Sequence, residues 1–441
     1  MQASVRFYQS PQKRIIVPKA FRKQFQFIDE VQFGEQVSEV QCMTHQQDDH
    51  SVLVTSGLQQ ALNLPPVHSL LFTGSETKLK LNIPFGILTA GFRSNSRLFD
   101  TRTPFYEKMS EVGASMGFQP IFFGCQHVNA SPHRIDGYIF EQGLWRKTQQ
   151  MVPEIVYNRI TNRKTENHPK VNQALRYLKE KTQLFNPGFF NKWEVYKHLK
   201  ENTVVSHLLP ETIFTPSSSV ITAMLDRNPV YLKPIHGSVG KGLLRLTKNK
   251  TEEVEVNEVN QRQVQTYPTM KEFYHTQFPE GSKGYILQPQ IALMEQDDRK
   301  IDYRIHTNKN EKGIWKVTVT AARLGASGHP TTHLGHGAEA KTLDELFSAT
   351  KAKQVETRLH TAALRVSDAL DFNYDGQLAE IGMDFGLDQD QSIWLFEANA
   401  KPGYAIFHHP SLQQDLEKNF QHLFHYSTYL FHQKALKYSN V

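Results

Sequence analysis

The stretch Glu380-Ile-Gly-Met-Asp-Phe-Gly-Leu-Asp-Gln-Asp-Gln-Ser-Ile-Trp-Leu-Phe-Glu-Ala-Asn-Ala-Lys-Pro-Gly403 decides the fold. Two apolar runs flank a polar turn at residues 388–392, which predicts a β-hairpin. Side chains alternate between the two faces of a strand, so the second strand divides its side chains into two sets. One set is Trp394 and Phe396, and the other is Leu395, Glu397 and Asn399.

Two carboxylates and an amide are therefore expected close together. Asp384 lies on the first strand of the hairpin, where it can face Glu397 and Asn399. Oxygen ligands without Cys or His suit a hard cation, so these side chains predict a Mg²⁺ site, with Mn²⁺ as a second candidate. A hairpin with solvated charges is the alternative, but it poorly explains an acid and an amide at i and i+2 of an apolar strand.

A glycine-rich segment lies upstream, at Val230-Tyr-Leu-Lys-Pro-Ile-His-Gly-Ser-Val-Gly-Lys-Gly-Leu-Leu-Arg245. A strand is expected to deliver Lys233, and a second strand to resume at Leu243. Glycines let backbone N–H groups approach phosphate oxygens, and a serine adds a hydroxyl donor. The loop is not a Walker A loop, because its spacing differs and a strand follows it. The candidate phosphate-binding residues are Gly237, Ser238, Gly240, Lys241 and Gly242.

Two weaker signals follow. The run Tyr285–Ile291 is an apolar strand that breaks at Pro289. A proline carbonyl followed two residues later by an N–H group would match the edge of adenine, although an ordinary edge strand is the alternative. Arg304 and Arg323 end or interrupt alternating segments. Arginine suits phosphate and carboxylate groups, and a surface ion pair is the alternative.

Composition limits the function classes. The chain has 441 residues, of which 39% are hydrophobic and 21% charged, as in a folded multidomain protein. Lys plus Arg exceeds Asp plus Glu by 50 − 44 = 6, without a long basic run, so nucleic acid is not an expected partner. Cys42 and Cys125 are far apart, which argues against a disulfide framework or a zinc site and favours the cytoplasm. Neither a signal peptide nor a membrane span is expected.

The sequence divides into three predicted domains. Residues 1–80 read as a small β-rich domain, and residues 81–184 as an α/β domain that opens with a βαβ unit. The helix of that unit is expected over Phe105 to Met116. Residues 185–441 begin with a helix over Lys192 to Glu201 and end with one over Ser411 to Tyr438.

With these elements in this order, the chain resembles the ATP-grasp superfamily over residues 185–441. In its motif details and its N-terminal β-rich domain it is similar to the YheC/YheD-type family, which is associated with endospore coats. The resemblance implies an α+β protein, in which an ATP-grasp fold follows a small pre-ATP-grasp-like α/β domain and the β-rich domain.

The resemblance also implies roles for individual residues. Lys192 and Lys233 match nucleotide-contacting lysines, and residues 237–242 match a cover over the phosphates. The hinge that reads adenine matches Gln288, Pro289 and Ile291. The phosphate-facing cations match Arg304, Arg323, Lys233 and Lys401, and the magnesium ligands match Asp384, Glu397 and Asn399.

Two positions depart from the family pattern. Gln288 stands where an acidic hinge residue is common, and residues 333–337 stand where relatives often have Asn-Leu-x-x-Gly-Gly. His333 and His336 raise a transition-metal alternative, but a polar loop is the simpler interpretation.

The function implied is an ATP- and Mg²⁺-dependent carboxylate–amine ligase that acts through an acyl-phosphate. Its carboxylate and amine substrates are unknown, with peptides or proteins as candidates. The alternative is an ATP-binding spore-coat assembly protein with little or no ligase activity, whose partners are coat proteins and whose location is the spore coat or forespore surface. A nucleic-acid-binding module is a third and distant option, because no basic stripe accompanies the aromatic residues.

Overall fold

A computed structural model of the protein describes residues 2–45, 51–74, 77–93, 97–237, 240–259, 263–327, 332, 334, 337–374 and 376–439. The chain forms two compact units. The first unit consists of Met1–Gly188, Lys309–Ile314 and Glu417–Val441, and the second of Phe189–Asn308 and Trp315–Leu416.

The first unit is rich in strands. Its strands are β1 (Gln2–Tyr8), β2 (Arg14–Pro18), β3 (Glu30–Phe33), β4 (Gln36–Glu39), β5 (Gln41–His45), β6 (Val52–Thr55), β7 (Ser69–Gly74), β8 (Lys78–Leu88), β9 (Phe118–Phe123), β10 (Val128–Asn129), β11 (Arg134–Glu141), β12 (Leu144–Met151), β13 (Ile155–Asn158) and β14 (Gln183–Phe185). Its helices are α1 (Arg22–Phe25), α2 (Ser56–Ala61), α3 (Thr103–Ser115), α4 (Arg163–Glu166) and α5 (Pro169–Lys181).

These strands form a continuous sheet in the order β10-β11-β9-β8-β7-β1-β6-β2-β5, with the remaining strands paired at its sides. β8 is its long central strand, and it reads as a nearly continuous buried run because neighbours cover both faces. β8 and β9 are parallel and α3 connects them, so the predicted βαβ unit is confirmed. The sheet also pairs β7 with β8, and β8 itself runs across residue 80.

The second unit carries the remaining elements. Its strands are β15 (Ile213–Phe214), β16 (Val230–Pro234), β17 (Leu244–Lys248), β18 (Val254–Glu258), β19 (Val264–Tyr267), β20 (Tyr285–Pro289), β21 (Glu295–Gln296), β22 (Arg299–Lys309), β23 (Trp315–Leu324), β24 (Glu339–Lys341), β25 (Glu380–Leu387) and β26 (Ile393–Asn399). Its helices are α6 (Lys192–Glu201), α7 (Ser218–Leu225), α8 (Met270–Gln277), α9 (Leu343–Leu346) and α10 (Ala349–Asn373). The last helix, α11 (Gln413–Ser439), belongs to the first unit from Glu417 onward.

Two sheets organise the second unit. One has the order β15-β20-β16-β17-β18-β19 and packs on α7 and α8 through residues such as Ile221 and Phe273. The other has the order β24-β23-β22-β25-β26 and packs on α10 through residues such as Leu359 and Val366. Helices thus cover one face of each sheet, and the opposite face is available for polar side chains.

The α+β class and the principal predicted elements are confirmed. The helix expected over residues 192–201 is α6, the one expected over residues 105–116 is α3, and the C-terminal one is α11. The domain boundaries at residues 80 and 184 stay predictions. Within the described parts of the chain, no helix is long and apolar enough to cross a membrane.

Candidate functional site

The hairpin of β25 and β26 is antiparallel and places Asp384 opposite Glu397. Its register shifts between Asp384 and Phe385, so β26 carries one extra residue, a β-bulge. Leu395 and Ala398 are both buried in the core that packs on α10.

The bulge corrects the predicted division of β26 into faces. Strict alternation put Leu395 with Glu397 and placed Phe396 on the opposite face. In the structure Leu395 points into the core, whereas Phe396 and Glu397 both line a cleft. The prediction was wrong at this point because an inserted residue reverses the alternation within the strand.

The cleft lies within the second unit, and both of its sheets contribute to it. Its lining residues are Lys192, Pro210, Tyr231, Lys233, Pro234, Gly237, Gly240, Lys241, Leu243, Val259, Gln288, Pro289, Gln290, Ile291, Leu293, Lys300, Asp302, Arg323, Thr332, Asp384, Phe396 and Glu397. The predicted glycine-rich loop, hinge and acidic hairpin therefore meet around one cavity, although they are far apart in sequence.

Asp384 is the electrostatic centre of the cleft. Nε of Arg304 lies 2.9 Å from its Oδ1, and Nη2 of Arg323 lies 3.2 Å from its Oδ2. Burial alone would raise the pKa of the Asp384 carboxyl, but the two guanidinium groups outweigh burial and lower that pKa. The carboxylate is therefore held ionised, as a cation ligand must be.

Glu397 pairs with a cation from a different element. Its Oε1 contacts Nζ of Lys192, at the start of α6. Asn191 fixes that helix start, because its side chain accepts hydrogen bonds from the backbone N–H groups of Trp193 (2.9 Å) and Glu194 (3.3 Å). A helix cap thus holds Lys192 against the hairpin.

Lys233 extends from β16 into the same cleft. Its Nζ lies 5.8 Å from the ring centroids of both Tyr231 and Phe396. Burial and the neighbouring Lys192 lower the pKa of the Lys233 amine to about 8, against the opposing effect of the cleft carboxylates. A poorly hydrated cation at this position would gain from an anionic ligand.

Asp302 is a cleft residue to which sequence analysis gave no role. It is buried and binds Arg323 through both carboxylate oxygens, at 2.7 Å (Nε to Oδ1) and 2.5 Å (Nη2 to Oδ2). A signal existed in β22, where polar Lys300, Asp302 and Arg304 alternate with buried Ile301, Tyr303 and Ile305. That period of two places Asp302 on the same face as Arg304.

The predicted hinge has a fixed side chain beside it. Nε2 of Gln288 donates to Oγ1 of Thr212 at 2.8 Å, and the Thr212 hydroxyl donates to the Pro210 carbonyl at 2.9 Å. Oε1 of Gln288 is buried and has no hydrogen-bond partner among the described residues. Pro289 and Ile291 line the cleft next to it.

Some predicted residues lie elsewhere. Arg304 is not a lining residue but contacts Asp384, and Asn399 pairs with Gly382, two residues beyond the lining residues Glu397 and Asp384. Nζ of Lys401 lies 4.8 Å from the Phe189 ring centroid, and Gly242 is not a lining residue. Ser238, His333 and His336 lie outside the described residues. Within the described ranges, no cluster of three or more His, Cys, Asp or Glu side chains could hold a metal ion.

Comparison with known proteins defines the class. A family model described as "YheC/D like ATP-grasp" matches residues 181–430, which is more than half of the chain. The protein is thus an ATP-grasp protein, and within that class it belongs to the YheC/D-like family.

Two relatives in sequence agree with this assignment. Endospore coat-associated protein YheD from Bacillus subtilis (strain 168) is 31% identical over 408 residues, which cover 90% of this chain and 90% of YheD. Endospore coat-associated protein YheC from the same organism is 25% identical over 326 residues, covering 72% of this chain and 89% of YheC. Among solved structures, the D-alanine–D-alanine ligase from Coxiella burnetii is 12% identical, with a TM-score of 0.46, and covers 81% of this chain and 97% of that chain.

Proposed function

We propose that the protein is an ATP- and Mg²⁺-dependent ligase that joins a carboxylate to an amine. The observation that carries the proposal is the cluster in which Asp384 and Glu397 face each other across the hairpin, each paired with a cation. A ligand made of phosphates and a divalent cation can replace both partners of each ion pair. The divalent cation would bind the carboxylates, and the phosphates would bind the cationic side chains. Membership of the ATP-grasp class supports ATP as that ligand.

The donor set fits Mg²⁺. Asp384 and Glu397 line the cleft as carboxylates, and Asn399, two residues after Glu397 on β26, would add its amide oxygen. Hard cations prefer such oxygen donors and complete their coordination with phosphate oxygens and water. When bound, Mg²⁺ would neutralise charge on the transferring phosphoryl group.

The cations of the cleft have a matching task in the proposed reaction. The substrate carboxylate attacks the γ-phosphorus of ATP, the bond to ADP breaks, and an acyl-phosphate forms. The amine then attacks the acyl carbon, and inorganic phosphate leaves. Lys233, Arg304 and Arg323 would hold the phosphoryl oxygens in both steps, so catalysis consists of positioning and fixed positive charge.

The remaining cleft residues are proposed to bind the nucleotide. The base would lie against the apolar end formed by Ile291, Leu293 and Phe396, with the backbone at Pro289 and Ile291 reading its edge. Lys192 and residues 237–242, which include Ser238, would lie along the phosphates. Lys401 would join them once its amine leaves the Phe189 ring.

ATP turnover tests the proposal. Glu397→Ala removes one carboxylate and is expected to abolish ADP release from ATP in the presence of pooled amino acids and peptides, while thermal unfolding stays close to wild type. Unimpaired turnover in this variant would contradict the proposal.

A second candidate function is favoured by the names of two relatives, both described as endospore coat-associated. In this alternative the protein binds ATP and coat proteins but transfers no phosphoryl group. Tight ATP binding by purified wild-type protein without ADP release, over a broad set of acids, amines and peptides, would favour this assembly role over the ligase.

A further inference from the structure

The Asp302 carboxylate has no role in the reaction proposed above, although it is buried and part of the cleft lining. Both of its oxygens accept hydrogen bonds from Arg323, from Nε at 2.7 Å and from Nη2 at 2.5 Å. A two-point contact of this kind fixes the plane of a guanidinium group as well as its position.

The same arginine is shared with the presumed cation ligand. Nη2 of Arg323 lies 3.2 Å from Oδ2 of Asp384, a longer contact made at a single point. Asp302 therefore has the stronger hold on Arg323. Without that hold, Asp384 would be the nearest remaining carboxylate among the described residues, and the guanidinium would turn toward it.

Arg304 provides a contrast within the same cleft. Its Nε contacts Asp384 at 2.9 Å, and its Nη1 is buried without a hydrogen-bond partner among the described residues. A cation bound at Asp384 would take away the contact that holds Arg304. It would leave Arg323 held by Asp302.

We propose that Asp302 is a positioning residue that orients Arg323 and keeps its guanidinium from closing onto Asp384. The Asp384 carboxylate is thereby left accessible to a divalent cation. This inference rests on the proposed function, since it takes Asp384 to be a cation ligand. Arg323 is then a permanently positioned cation, whereas Arg304 is exchanged between the carboxylate and the ligand.

Binding of Mn²⁺ tests the inference without any turnover. In Asp302→Asn an amide N–H group faces the guanidinium, so Arg323 is expected to replace its single-point contact with Asp384 by a two-point contact. The dissociation constant for Mn²⁺ in the presence of a non-hydrolysable ATP analogue, measured by electron paramagnetic resonance, should rise about 10-fold or more, as for other residues that support metal ligands. An unchanged Mn²⁺ affinity in a folded variant would overturn the inference.

Asp226→Asn is the matched control. It makes the same change in a carboxylate that pairs with a cation outside the cleft, Nζ of Lys248 at 2.6 Å. Its Mn²⁺ affinity should stay at the wild-type value. A loss equal to that of Asp302→Asn would overturn the inference, because it would show that the loss does not depend on the contact with Arg323.

A double-mutant cycle separates positioning from direct cation binding. If Asp302 acts through Arg323, then Asp302→Asn has no further effect on Mn²⁺ affinity in an Arg323→Met background. Additive losses would show that Asp302 contacts the cation itself and would overturn the positioning role.

A measurement on the wild-type protein decides the case in which Asp302→Asn does not fold. Guanidinium resonances of labelled arginine report rotation about the Nε–Cζ bond, and Arg323 is assigned by the signal lost in Arg323→Lys. Rotation of Arg323 should stay slow with and without Mg²⁺ and the ATP analogue, while that of Arg304 changes. Release of both arginines would overturn the inference.

The inference and the proposed function fail in different ways. A wild-type protein that binds no Mn²⁺ together with the nucleotide would overturn the proposed function and this inference with it. Wild-type binding with an unaffected Asp302→Asn variant would overturn the inference alone.

Discussion

Two clusters on one face of the β22–β25 sheet differ in how their charges are satisfied. The open cluster, defined as Asp302, Arg304, Arg323, Asp384 and Glu397, lines or adjoins the cleft and is held by ion pairs. The closed cluster, defined as His306, Asn308, Glu380 and Tyr404, continues the same strands in register, with Asn308 opposite Glu380.

The closed cluster lies beneath half-buried Tyr404 and buried Phe407. Glu380 and His306 are fully buried, the Tyr404 hydroxyl donates to Glu380, and the rings of Tyr404 and Phe407 lie 5.6 Å from that of His306. The same alternation thus produces a structural polar core where aromatic rings cover the sheet. Where that cover is missing, it produces a site whose ion pairs a ligand can replace.

The largest expected effect contrasts a carboxylate of each cluster on the same strand. Asp384→Asn should lower ATP turnover by at least about 100-fold, since it removes charge at the reacting phosphates. Glu380→Gln, the matched change in the closed cluster, should leave turnover per folded molecule near wild type. Steady-state ADP release measures both, and equal losses would erase the functional distinction between the clusters.

The next effect is the pH dependence of nucleotide binding. Because burial lowers the pKa of Lys233 to about 8, the amine loses its charge above that pH. Nucleotide affinity should then fall by up to about tenfold per pH unit, and the fall should be absent in Lys233→Met. Calorimetric titration between pH 7 and pH 9 would detect it, and a pH-independent wild-type affinity would contradict it.

The pH dependence that Lys233 gives to stability should have the opposite sign to the one it gives to nucleotide affinity. Between about pH 8 and the ordinary lysine value of about 10.4, the unfolded chain binds more protons at this position than the folded one. The contribution of Lys233 to the free energy of unfolding therefore rises with pH in that window. Denaturant unfolding of wild type and Lys233→Met isolates this contribution.

A substitution in the closed cluster should lower stability and leave nucleotide binding unchanged. Tyr404→Phe removes the hydroxyl that donates to buried Glu380 and should cost about 1–3 kcal/mol in urea unfolding, with nucleotide affinity unchanged. Tyr8→Phe, at an exposed tyrosine, is the control and should be neutral. A loss of nucleotide affinity in Tyr404→Phe would show that the two clusters are coupled.

The smallest effect is expected at Gly386, beside the open cluster. An added Cβ would lie 2.5 Å from Cδ2 of Leu293 and 2.5 Å from Cζ of Phe396. Both atoms end side chains that can shift, so Gly386→Ala should weaken nucleotide binding by only about 1 kcal/mol. Gly403→Ala, where nothing lies within 4 Å, is the matched control for the same calorimetric titration.

The sequence predicted elements better than it predicted orientations. The long helices and the hairpin follow from periodicity and turn residues, which are local properties. The side of β26 to which Phe396 belongs does not, because the bulge is set by pairing with β25 and by packing of Leu395 on α10. No local pattern encodes such a tertiary contact.

The composition of the candidate site was predictable in part for a similar reason. Residues near turns or in unusual motifs, such as Lys233 and Asp384, can be recognised as candidate site residues from the sequence. Asp302 and Glu380 look alike in sequence, because each acid stands between two residues that are buried in the structure. Only the three-dimensional structure shows that Asp302 faces a cleft and that Glu380 lies under aromatic rings.

The bulge at Phe396 changes which residues of β26 face the core. Residues before it reach the core with one parity, and residues after it with the other, as buried Leu395 and Ala398 show. Removing Phe396 would restore strict alternation, in which Leu395 and Ala398 still face the core and Glu397 still faces the cleft. The bulge therefore adds an aromatic ring to the cleft wall without displacing the Glu397 carboxylate, and a deletion of Phe396 would remove the ring while every charged group keeps its face.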